Sequence, residues 1–90
     1  MPYIKQERRT SINKALVPII AHITHKSDIC AGDINFIITR IVSQFLAKKG
    51  ESYATYNEIV GVLECAKLEF YRRRIAKYEN SKIKSNGDVY

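Results

Sequence analysis

The stretch Asp33-Ile34-Asn35-Phe36-Ile37-Ile38-Thr39-Arg40-Ile41-Val42-Ser43-Gln44-Phe45-Leu46-Ala47-Lys48-Lys49-Gly50 decides the fold. Ile34, Ile37, Ile38, Ile41, Val42, Phe45 and Leu46 recur at i, i+3, i+4, i+7, i+8, i+11 and i+12, the apolar stripe of an α-helix. A buried strand also favours isoleucine, but a run of this length with a 3.6-residue period is helical. Asp33 is placed to cap the start, since its carboxylate can accept from the free N–H groups of the first turn. Lys48 and Lys49 complement the helix dipole at the other end, and Gly50 can take the positive φ that favours a stop.

Beyond Gly50 a third helix opens at Ser52 or Thr55, where Thr55 followed by Glu58 fits a capping box. Tyr56, Ile59, Leu63, Ala66 and Phe70 form its core stripe, and nothing before Asn80 forces an end. About 24 helical residues would span roughly 36 Å, more than the roughly 30 Å width of a compact chain of this size, so this helix protrudes or pairs with another subunit. Gly61 inside it suggests close approach of another backbone, since a helical glycine costs about 1 kcal/mol relative to alanine. Val62, Cys65, Leu68 and Ile75 add a second apolar face, read as an oligomer interface because only one face can meet the other helices.

Before Asp33 a first helix is predicted between about Ile4 and Thr24, with Ile12, Leu16, Ile19, Ile20 and Ile23 on its apolar side. Pro18 lies inside that run and predicts either a kink or a later start. His25 to Gly32 reads as the connection. The fold class is therefore all-α: about three helices with a long C-terminal one, a helical bundle assembled as a homo-oligomer. Residues 1–79 form a single helical domain, and 80–90, with the turn signal Asn86-Gly87-Asp88, form a polar C-terminal tail.

The 90 residues allow one domain, and their 46% apolar and 27% charged composition is that of a folding chain. A monomer of this length buries only about 60 to 65% of its unfolded surface, which makes self-association an expectation. Fifteen Lys and Arg against nine Asp and Glu give +6, a field that favours nucleic acids, nucleotides or acidic partners, and equally serves solubility. No leader and no apolar run of roughly 18 residues is read, so a cytoplasmic chain with no membrane partner is expected. Cys30 and Cys65 are too few for a disulfide framework.

Tyr53, Asn57, Val60, Glu64, Lys67, Tyr71, Arg74 and Tyr78 fall at alternating spacings of four and three along the third helix. Tyrosines interleaved with cations suit an anionic aromatic ligand, with rings stacking on bases and ammonium or guanidinium groups meeting phosphate. Candidate ligand-binding residues are Arg40, Tyr53, Tyr56, Asn57, Lys67, Tyr71, Arg72, Arg73 and Arg74. The plainer reading of the same stripe is a solvated face with Glu69 and Arg73 as an i,i+4 pair, and of Arg40 an ion pair with Glu58 or Glu64.

No enzyme is expected, because no phosphate loop, nucleophile elbow or His-Glu-x-x-His occurs, and Glu58, Glu64 and Glu69 do not share a helix face. His22, His25, Asp28 and Cys30 match no closed zinc site, so no metal and no cofactor is assigned.

The segments Asp33 to Arg40, Tyr53 to Asn57, Gly61 to Arg73 and Asn86 to Tyr90 resemble those of a small family of proteins of unknown function, over nearly the whole chain. Members of that family occur in bacteriophages and bacteria, and it lends no catalytic residue. The resemblance implies a compact accessory protein of phage or bacterial encoding, acting in a bacterial cytoplasm. In size and expected architecture alone, the chain is also similar to phage proteins that sequester nucleotide messengers of bacterial immunity. The expected function is thus non-enzymatic binding of a small nucleotide-like anion by a homo-oligomer. The alternatives are a nucleic-acid-binding accessory protein using the basic segment Lys5 to Lys14, and an adaptor inhibiting a host enzyme through Val62, Cys65 and Leu68.

Overall fold

The structure is a computed structural model that describes residues 2–90. Among them the chain forms only helices: α1 (Gln6–His25), α2 (Ala31–Lys49), α3 (Tyr53–Phe70), a π-helical turn (Tyr71–Ile75) and α4 (Ala76–Asn86). The last three join without a break into one rod of 34 residues, so the molecule has three helical rods and the last is long. That rod continues to Asn86, beyond Asn80, and only Gly87 to Tyr90 of the polar C-terminal stretch are non-helical. None of the helices among the described residues is long and apolar enough to cross a membrane.

Local chemistry accounts for the boundaries, with one correction at α2 and one choice between the two expected openings at α3. Cys30, not Asp33, is the N-cap of α2, and Asp33 sits three residues on, where its Oδ2 accepts from the Cys30 N–H at 3.0 Å. The Cys30 side chain accepts from the Asp33 N–H in return, so a reciprocal box sets the start two residues before Asp33. Ser52, not Thr55, caps α3: its Oγ accepts from the Thr55 N–H at 3.1 Å and lies 3.0 Å from Thr55 Oγ1. Thr55, only 6% exposed, is the one buried residue among those described. Ser52→Ala should lower stability by about 1 kcal/mol, read as a shift of the urea midpoint.

Gly50 ends α2 at φ 90°, with its N–H donating to the Leu46 carbonyl at 2.8 Å, and Gly87 ends α4 at φ 93° with its N–H on the Ile83 carbonyl at 2.9 Å. A side chain at either position would strain the backbone. Helix α1 runs through Pro18 as one element, with its start at Gln6 rather than deferred past the proline.

The three rods form an open frame. Of the separate helices, only α2 and α3 bring their backbones close together, beside the short turn that joins them. Helix α1 has no such approach to either of them. The stretch before it carries Tyr3, whose hydroxyl donates to Glu69 of α3 at 2.7 Å, and its other end leads into the connection that enters α2. Leu16, Ile19, Ile23, Ile37, Val42, Leu46 and Ile59 are half-buried, and no apolar side chain among the described residues is buried. The radius of gyration is 17.0 Å, against about 12 Å for a compact chain of this length. The bundle expected from the periodicity is therefore not closed within one chain: each stripe is present, but none of its apolar side chains among the described residues is buried.

Gly61 also departs from expectation. A Cβ built there meets nothing within 4 Å among the described residues, so none of their backbone outside its own helix approaches it.

Candidate functional site

Cations dominate the middle of the long rod. Arg72, Arg73 and Arg74 occupy the π turn, in which the Ala76 N–H reaches back five residues to the Tyr71 carbonyl, and Lys77 follows one turn on. Together these four side chains line a groove of about 490 Å³. Single π turns inside α-helices are rare and often coincide with functional sites.

The four cations are not equivalent. Arg72 is fixed: its Nη2 donates to Glu69 Oε1 at 2.6 Å and its Nε to Oε2 at 3.3 Å, while the Tyr3 hydroxyl donates to the same Oε1. Glu69 thus pairs with Arg72, one turn away, in place of the expected Arg73, because the fork of Arg72 reaches both carboxylate oxygens. Among the described residues Arg73, Arg74 and Lys77 have no carboxylate partner and are exposed. A cation without an internal partner is available to an external anion.

The hydrogen bonds from Arg72, and then that from Tyr3, hold the Glu69 carboxyl below its ordinary value, and Glu69 in turn holds Arg72 more firmly protonated. A depressed carboxylate contributes stability that is present above its unfolded value and lost as pH falls through the folded one. The Tyr3 tether should therefore open on acidification. A side-chain NMR titration should place the Glu69 midpoint below that of a free glutamate, and Arg72→Ala should move it upward.

The other sequence candidates lie elsewhere. Lys67 is paired with Glu64 at 3.3 Å. Tyr53, 80% exposed, and Asn57 are in the first turns of α3, and about 26 Å of helix separates Asn57 from Arg74. The Tyr56 hydroxyl donates to Glu51 at 3.2 Å, and that carboxylate raises its pKa. Arg40, on α2, has no carboxylate partner among the described residues, so the expected pair with Glu58 or Glu64 is not made.

Tyr71 opens the π turn and lines a second groove, of about 420 Å³, that also holds Glu79, Lys82, Asp88 and Tyr90. One chain thus places Arg72, Arg73 and Arg74 on one groove and Tyr71 on another, and brings Arg40, Tyr53, Tyr56 and Asn57 to neither.

Two residues of this region escaped the sequence reading. Lys77 follows Arg73 and Arg74 at i+4 and i+3, a spacing that could have placed it on their face. Tyr3 stands 66 residues from its partner Glu69, and no local pattern announces it.

No curated protein and no solved structure matches the chain. Residues 1–89 match the family described as Domain of unknown function (DUF6899), and the chain belongs to that family.

Proposed function

We propose that the chain is a non-enzymatic, self-associating protein that binds a small anionic ligand of nucleotide type on the cationic turn of its long rod. The observation that carries this reading is the groove of about 490 Å³ lined by Arg72, Arg73, Arg74 and Lys77, three of which lack a carboxylate partner among the described residues. Its volume is of the order of small-molecule sites, about 300–1,000 Å³. Phosphate oxygens would accept charge-assisted hydrogen bonds from Arg73, Arg74 and Lys77, while Arg72, held by Glu69, gives a fixed edge. Tyr71, beside Arg72 in sequence but lining the second groove, offers a ring on which a base reaching past the arginines would stack.

Holding the ligand, with no bond made or broken, is the whole activity proposed. It suits a sequestering protein in a bacterial cytoplasm.

Native mass spectrometry of the chain purified from its expression host tests this directly. A nucleotide-sized mass retained on the protein is the expected result. Absence of any retained mass, with no binding of nucleoside mono-, di- or triphosphates or cyclic dinucleotides in calorimetry, would overturn it.

A further inference from the structure

The exposed surface of the chain is 8235 Å², whereas a folded monomer of 10.4 kDa exposes about 5,400 Å². The excess, about 2,800 Å², is of the order that each chain of an obligate homodimer hides, roughly 1,000–2,500 Å². Polar α4 contributes part of this excess, but large apolar side chains contribute too. Ile41 is 52%, Phe45 38%, Val62 59% and Leu68 54% exposed.

These exposed groups are arranged on particular faces. Two apolar grooves flank the contact between α2 and α3. One is lined only by Ile41, Val42, Phe45, Ile59 and Val62. The other includes Ser43 and Tyr56, whose hydroxyl is already turned to Glu51. The first is the drier of the two and leads through Val62 to the free face of α3.

Gly61, Cys65 and Leu68 stand on that free face at i, i+4 and i+7. A Cβ at Gly61 would meet nothing in its own chain, so within one molecule the glycine weakens the helix with no packing in return. Close approach by a helix from another molecule would account for it.

We propose that a second copy of this chain covers this face, α3 crossing α3 at Gly61 and Cys65, with Phe45 and Val62 buried beside the crossing. This rests on the self-association proposed above and adds where it occurs. A two-fold arrangement needs one self-complementary face, and this one joins an apolar groove to a glycine gap. The hydrophobic core of the protein is then shared between chains.

Sedimentation equilibrium of the full chain and three variants tests it. Wild type should be oligomeric. Val62→Glu should become monomeric, and Val60→Glu, on the other groove, should keep the wild-type mass. Gly61→Ala separates the proposal from a folding defect, because alanine favours the helix. If a second backbone approaches there, this variant should be as helical as wild type once assembled, but should need a concentration at least about tenfold higher to assemble.

Tighter assembly of Gly61→Ala, or equal losses in Val60→Glu and Val62→Glu, would overturn the proposed face while leaving self-association in place. A monomeric wild type would overturn both. Neither result bears on the ligand, which retention on Arg73 and Arg74 tests separately.

Discussion

The variant Arg73→Ala/Arg74→Ala should lose its nucleotide-type ligand, with the dissociation constant rising about a hundredfold or more. A hydrogen bond to a charged group contributes about 1.5–3 kcal/mol, and two such donors are removed. Neither arginine has a carboxylate partner among the described residues, so their loss leaves no acidic group unpaired and the helix should be undisturbed. Calorimetric titration measures the loss, and helical circular dichroism serves as the control for folding.

Lys67→Ala provides the contrast. Its ammonium is held by Glu64 at 3.3 Å, away from the groove, so the expected change in affinity is within about threefold, as for a surface ion pair. Equal losses from Lys67→Ala and from the double arginine variant would move the site up the rod. A steep dependence on salt, indifferent to which nucleotide competes, would replace the small-ligand reading with a nucleic acid tracking the cations.

Dilution should unfold the protein. No apolar side chain among the described residues is buried within one chain, and an isolated helix is marginal in water even with good caps. Stability must then depend on the concentration of protomers, as for any assembly without a stable folded monomer. For a dimer of 90-residue chains, each tenfold dilution should lower Tm by about 4 °C, since about 1.4 kcal/mol of mass action acts on an unfolding entropy summed over both chains. The measurement is helical circular dichroism against temperature over several decades of concentration. A Tm independent of concentration would show that one chain suffices.

The same reasoning separates the effects of Val62→Glu from those of Ser52→Ala. The first places a carboxylate on an exposed apolar face and should remove the proposed assembly. The second removes a single capping bond at the α2–α3 turn and shifts stability without changing mass.

The helices themselves were legible in the sequence because each is a local matter. The isoleucine period of 34–46 requires a helix, and glycine at 50 stops it whatever the rest of the chain does. The long third rod was legible in the same way, from a stripe with no breaker. Its starting cap was less so: Ser52 and Thr55 both fit, and the choice fell to which hydroxyl met which N–H. Asp33 was misplaced for a related reason, since a carboxylate serves a helix start equally well as cap or three residues inside it, and the Cys30 N–H selected the latter.

Of the candidate site, Arg72, Arg73 and Arg74 are visible in the sequence as candidate ligand-binding cations, but which of them is free is not. Which guanidinium is free depended on Glu69 choosing Arg72, on a tyrosine 66 residues away, and on a π turn that no periodicity predicts. Composition and spacing by themselves determined that this chain is helical, basic and rich in apolar faces, because propensity, period and charge act over one or two turns. Only the tertiary structure decided that those faces do not close on one another, because closure depends on how the three rods are placed relative to each other, which no local pattern fixes. That arrangement leaves Gly61 facing open space and Phe45 and Val62 without cover.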